Sequence, residues 1–202
     1  MLTVTELGET IRSARHSLFR LETLDRYEVP IDGSDLSVYL AGGDQPHNPD
    51  KLAWEEHLRA ERAAGIWRHR VHLIDTTHGL GDYLRYECEW GYTATTAAGE
   101  GIRILDLPTA RRPRELTGID HDFWLIDGER VIRMHYDTDA TFHGGELLPA
   151  DHTPVTRQPA TSPGAWPKSS RRGGQRIPNI IGRTIAPPEP RGPLDSPRAP
   201  DG

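Results

Sequence analysis

Eight residues carry most of the chemistry this sequence offers: Arg70, Tyr83, Arg85, Tyr86, Glu87, Glu100, Asp122 and Trp124. Tyr83, Tyr86 and Glu87 stand at i, i+3 and i+4, so on a helix two phenols and a carboxylate share one face. Set beside the others they describe a polar pocket able to recognise a peptide or a small polar ligand. The competing reading is structural: Glu87 or Glu100 pairs with an arginine and fixes the helix onto a sheet, a pattern that ion pairs produce as readily as sites do.

Catalytic motifs give little. Ala97 to Gly101 lacks the Lys-Ser/Thr of a phosphate loop, GxGxxG is absent, and no nucleophile elbow supports Ser/His/Asp chemistry. The ten histidines have no HExxH spacing. His69 and His72 fall on opposite faces of a strand, whereas His135 and His143 flank a turn across which they could meet. We assign no catalytic residue, no metal and no cofactor. Cys88 is expected to pack and not to react, and as the single cysteine it forms no intramolecular disulfide.

The elements that must position these residues follow from periodicity. Val4, Leu7 and Ile11 mark an amphipathic helix from Val4 to Arg15. From Ser17 the chain alternates, with Phe19, Leu21 and Thr23 on one face and Arg20 and Glu22 on the other, which predicts an extended segment reaching Pro30. Ser34 reads as the cap of a short helix, and Pro49 and Asp50 open a second from Lys51 to Ala64, ended by Gly65. The period then shortens for a strand over Ile66 to Asp75. A helix from Tyr83 to Trp90 or beyond, and a strand from Gly101, follow. A polar connection leads to three strands, Asp122 to Asp127, Gly128 to Asp137 and Ala140 to Leu148, with turns at Asp127-Gly128 and Asp137-Thr138-Asp139. The fold class is α/β or α+β, helices packed on a mixed sheet that closes with an antiparallel meander.

Composition divides the chain. Residues 1–150 read as a single globular domain and 151–202 as a disordered tail rich in Pro and Arg. Met1 to Pro149 holds 16 Lys+Arg against 26 Asp+Glu, while Ala150 to Gly202 holds 8 against 4 and 11 of the 17 prolines. Such a tail lacks the apolar residues to fold alone. The acidic domain argues against a large nucleic-acid footprint, which depends on Lys and Arg. Arginine outnumbers lysine 22 to 2, read first as coding bias. No leader-like apolar segment and no run of about 20 apolar residues is present, so a cytoplasmic protein without membrane contact is expected.

The segments SLFRLETLDRY, RVHLID, GDYLRYECEWGYTATTAAGE and DFWLIDGERVIRMHYD resemble an actinobacterial domain of unknown function, family 6879, over residues 10 to 150. The resemblance implies no activity or cofactor. Members of that family commonly stand beside helix-turn-helix regulators of the Xre type, which implies a protein partner. It also implies a terminal RDLAW helix. A shifted reading frame across Pro159 to Gly174 can spell a similar segment, so a frameshift between Val155 and Gln158 is expected to have replaced that helix.

A likeness at the level of fold joins the "IDGxxV" hairpin to phospholipase D-like domains. Placing Asp127 on the aspartate of HxKxxxxD puts Asp120 at the histidine and Asp122 at the lysine, so both catalytic identities are missing and two carboxylates would repel a phosphate. His121 is one position out of register. The expectation is a non-enzymatic interaction or regulatory domain working with an Xre-type regulator. The alternatives are a degenerate phosphodiesterase- or nuclease-like enzyme, whose Asp120, Asp122 and Asp127 hold a divalent ion, and a toxin–antitoxin component.

Overall fold

A computed structural model describes residues 1–107 and 120–149. The chain opens with α1 (Val4–Arg12), closed at its start by a capping box in which Thr3 and Glu6 satisfy each other's backbone N–H. Strand β1 (Ser17–Glu22) follows, then α2 (Asp35–Leu40), α3 (Pro49–Ala63) and β2 (Trp67–Ile74). Next, α4 (Asp82–Tyr86) runs through one π-helical turn (Glu87–Gly91) into α5 (Tyr92–Ala98). Strands β3 (Gly101–Asp106), β4 (Phe123–Ile126), β5 (Arg130–Tyr136) and β6 (Phe142–Leu147) complete the described residues.

The six strands form one mixed sheet in the order β3-β2-β1-β4-β5-β6. β1, β2 and β3 are parallel to one another, and β4, β5 and β6 continue from β1 as an antiparallel meander. Parallel neighbours need long crossovers. Here α2 with α3, and α4 with α5, supply them, so the fold is α+β with helices layered on a mixed sheet.

Apolar side chains leave the sheet on both faces. On the face shared with α1, Leu18, Trp124, Ile126, Ile132 and Met134 pack with Leu7 and Ala14. On the other, Leu21, Leu73, Phe123, Leu125 and Val131 form a second cluster. A tyrosine group, Tyr27, Tyr39, Tyr83 and Tyr86, makes a third beneath α2 and α4.

Two expected boundaries move for identifiable reasons. β1 stops at Glu22 and does not reach Pro30, because the Thr23 amide turns to the Asp122 carboxylate at 2.8 Å and to the Tyr27 hydroxyl at 3.2 Å. Ser34 precedes α2 without a side-chain cap bond, whereas Asn48 accepts the amides of Asp50 and Lys51 and starts α3 at Pro49. The Asp127-Gly128 turn forms as expected, with both residues at positive φ. The expected polar connection after Asp106 lies mostly outside the described residues, as do the tail and the proposed frameshift.

Asp127 ties the two halves of the sheet together. Its carboxylate accepts the backbone N–H of Arg15 at 3.0 Å, His16 at 2.8 Å and Ser17 at 3.0 Å, so the tip of the β4–β5 hairpin holds the start of β1. Burial opposes ionisation, but the amides of Ser17, His16 and Arg15 keep the carboxyl below its ordinary range. A carboxylate with a lowered folded pKa contributes stability above its unfolded pKa of about 4, and that stability is lost as pH falls through the folded value. Asn tolerates positive φ, so Asp127→Asn keeps the turn while removing the charge and the Oδ2 acceptor of the Arg15 amide. We predict that it costs about 1–3 kcal/mol at neutral pH and that urea denaturation will show the difference shrinking as pH falls through the lowered folded pKa of Asp127.

Candidate functional site

Across the helix-covered face, parallel pairing sets Leu18 beside Arg68, Arg20 beside Arg70, and Glu22 beside His72. Two arginines directly opposite each other repel. Glu22 answers both. Its Oε1 lies 3.1 Å from Arg20 Nε and 3.0 Å from Arg70 Nη1, while Arg70 Nε donates to Glu100 at 3.1 Å. Burial alone would raise the Glu22 pKa, but Arg20, Arg70 and His72 hold it down to about 2. The guanidiniums also stack: Arg20 lies over Trp124 and Tyr27, and Arg70 over Tyr92.

The helices are fastened to this row by further charges. Arg68 makes a bidentate pair with Glu61 of α3, at 2.8 and 2.7 Å. Lys51 of α3 sits 2.9 Å from both Asp32 and Asp35 and donates to the Tyr86 hydroxyl at 2.7 Å. These contacts enclose a cavity of about 230 Å³ whose wall includes Arg20, Glu22, Lys51, Arg70, Tyr83 and Glu87, with Trp54, Trp90, Tyr92 and Thr95. The π turn inserts one residue into the helix and so re-aims the side chains that follow, a device common at functional sites. Glu87, Trp90 and Gly91 of that turn all line the cavity.

At the cavity floor the Tyr92 hydroxyl gathers three side chains. It donates to Glu22 Oε2 at 2.9 Å and lies 2.7 Å from His72 Nδ1, with the Glu87 carboxyl beside it. His72 Nε2 donates to the Leu24 carbonyl at 2.8 Å. Ligating atoms of Glu22, His72 and Glu87 fall within 4.8 Å of one another, a set able to hold a metal, yet the phenol oxygen occupies the position on which they converge. Burial, then the charge of Glu22, pushes the Glu87 carboxyl up to about 7. Burial and nearby carboxylates push the hydroxyls of Tyr27, Tyr83 and Tyr92 above the usual phenol range.

Of the eight residues singled out from the sequence, Arg70, Tyr83 and Glu87 line the cavity. Tyr86, Glu100, Asp122 and Trp124 stand behind it. Tyr86 bonds Lys51, Glu100 bonds Arg70, Trp124 carries Arg20, and Asp122 accepts from Tyr27 at 2.7 Å and from Thr23. Arg85 is elsewhere, donating to the Leu80 carbonyl at 3.1 Å. The ion pair anticipated between Glu100 and an arginine is present.

Sequence reasoning missed Arg20, Glu22, Lys51, His72 and Tyr92. A signal existed in the matching polar periods of β1 (Arg20, Glu22) and β2 (Arg68, Arg70, His72), which share one face of neighbouring strands. Lys51 is also one of only two lysines.

Asp120, Asp122 and Asp127 do not converge on one site: Asp120 and Asp122 line a second, more open pocket with His121 and Arg133, and Asp127 lies outside it. Asp120 is exposed beside His121, and Asp122 and Asp127 flank opposite ends of β4, roughly 16 Å apart along an extended strand. His135 and His143 do not approach as a pair: the first meets Glu146 and the second Asp137, each at 3.2 Å. Cys88 is half-buried, and burial followed by Glu87 pushes its thiol up to about 11.

Removing one member of a buried ion network strands its partners. We predict that Arg70→Ala costs about 3–5 kcal/mol, because Glu22 and Glu100 lose a shared cation, while Arg85→Ala costs about 1 kcal/mol. Urea unfolding of both variants checks this. Equal costs would mean that the network does not hold the helices.

No protein of curated function matches the chain. A family profile matches residues 5–171, running past the domain boundary expected at 150. The chain belongs to the family described as a domain of unknown function, DUF6879.

Proposed function

We propose that this chain is a recognition domain that captures a small polar ligand in the cavity under α3 and the π turn, and passes its occupancy to a protein partner. The observation that carries this is a mismatch inside the cavity. Three residues of its wall carry a buried polar atom without a hydrogen-bond partner among the described residues: Arg20 at Nε, Tyr83 at Oη and Thr95 at Oγ1. Buried polar groups are normally satisfied, so a wall with three unsatisfied polar atoms favours a bound ligand whose entry lets them find partners.

The same chemistry favours binding over turnover. Glu22 is occupied by two guanidiniums, the phenols are held in their neutral form, and the thiol of Cys88 is pushed away from its nucleophilic state. The partner fits the habit of this family of standing beside Xre-type helix-turn-helix regulators. Ligand binding at the π turn can move α4 and α5, a connected pair of short helices whose surface a regulator could read.

The test is a fragment screen on the full chain followed through the indole N–H signals of its five tryptophans. Binding compounds should shift Trp54 and Trp90, which line the cavity, and leave Trp67 unmoved. A screen in which no compound class shifts Trp54 or Trp90 would contradict the reading.

A further inference from the structure

A basic cluster lies away from the cavity, on the sheet face opposite Arg68, Arg70 and His72. Trp67 and His69, two residues apart on β2, hold their rings nearly parallel, with planes 8° apart and centroids 6.4 Å apart. The Arg62 guanidinium, from the last turn of α3, lies 3.8 Å from the centre of the Trp67 ring. Such a contact fixes the cation and leaves its N–H edge available. Arg62 and His69 are both exposed, and among the described residues Arg62 makes no hydrogen bond and no ion pair.

Two glycines make room for these side chains. Gly99 closes α5 at φ 115°, where a Cβ would stand 3.4 Å from Arg62 Cβ and Cγ, and a Cβ at Gly101 would stand 2.6 Å from His69 Nδ1. The Arg62 stem and the imidazole therefore rest against the bare backbone of residues 99–101. His69 Nδ1 faces that backbone, so Nε2 is the nitrogen available to a ligand. Gly101 is the pairing partner of His69, and Arg103, two residues further along β3, stands exposed on the same face. Burial, then the charges of Arg62 and Arg103, hold the His69 imidazole below its ordinary range. Glu100 is the acid closest to them in sequence, but it is 2% exposed and bonds Arg70 on the other face.

We propose that Arg62, His69 and Arg103 form a binding site for a phosphate monoester, with Trp67 holding the Arg62 guanidinium in place. The cluster sets two guanidiniums beside a neutral imidazole in an otherwise acidic domain. A monoanion answers one of those charges, whereas a phosphate monoester is close to a dianion at neutral pH and answers both. Its oxygens also meet the Arg62 fork and His69 together. A bound phosphate reverses the field at His69, so the imidazole pKa rises as the ester binds.

The experiment titrates the full chain near neutral pH and at constant ionic strength with phenyl phosphate. Phenyl sulfate and benzoate serve as monoanionic comparators, and the Trp67 indole and His69 imidazole NMR signals are followed. Phenyl phosphate should bind saturably, shift Trp67 while raising the His69 pKa, leave Trp54 and Trp90 unmoved, and bind more tightly than either comparator. Arg62→Gln should weaken it about tenfold to a hundredfold, with the melting temperature retained because the side chain is exposed. Arg62→Lys should recover only part of the loss, since an ammonium keeps the charge without the fork. Arg59→Gln, one turn earlier on α3, should change nothing.

Equal binding of phenyl sulfate or benzoate would overturn the site, as would silence of Trp67 and His69 or an affinity unchanged in Arg62→Gln. A phosphoserine peptide that binds more tightly than phenyl phosphate identifies a modified protein as the source of the group, and equal affinities identify a free phosphate ester. Both of these outcomes support the site. The cavity reading is tested separately, through Trp54 and Trp90.

Discussion

The Glu22 carboxylate, shared between Arg20 and Arg70, is the interaction on which the rest of this structure depends. Parallel pairing of β1 with β2 forces the two arginines side by side on a face covered by helices. Two buried like charges in adjacent strands would drive that register apart. Glu22, 1% exposed and about 3 Å from each guanidinium, converts the repulsion into a bridge. Glu100, Tyr92 and His72 then complete the network around it, so the residues that roof the sheet are selected by what this row of charges needs.

That requirement explains why the helical layer has a hollow instead of a uniform apolar core. Leu18, Trp124, Ile126 and Ile132 fill the face under α1, but further along β1 and β2 the sheet presents charge, and the helices reply with Lys51, Glu61, Tyr83, Tyr86 and Tyr92. Charged and phenolic side chains cannot interdigitate as closely as leucines, because each keeps a fixed hydrogen-bond geometry. The π turn follows from the same problem: one extra residue brings Glu87 and Trp90 to the cavity together. The two carboxylates there differ: Glu22 is held ionised by two close guanidiniums, while Glu87 makes no ion pair with a described residue and is pushed up by burial and by Glu22.

The sheet was largely legible because strand alternation, the Asp127-Gly128 turn and the glycine after α3 each leave a local mark. The family resemblance was legible too, carried by long segments around Tyr86 and Trp124. The site was legible only in part. Tyr83, Glu87 and Arg70 could be grouped because helix spacing and charge sign are visible in one dimension. Arg20 and Glu22 were not, since a polar strand face reads as solvent-facing unless the crossover helices are known to cover it. His72 looked like one of many scattered histidines, yet it is completely buried, a fact fixed by its pairing partners in β1 and β3. The π turn has no sequence signature, because a single inserted residue changes the phase of a helix without changing its composition.

The account rests on this division between two carboxylates a few ångströms apart, and carboxyl carbon NMR titration of Glu22 and Glu87 in the intact protein measures it directly. The Glu22 signal should stay in its ionised position down to the acid limit of the fold, and the Glu87 signal should titrate near 7. Two carboxyls that both titrate in the ordinary range near 4.5, or a Glu87 more acidic than Glu22, would contradict it.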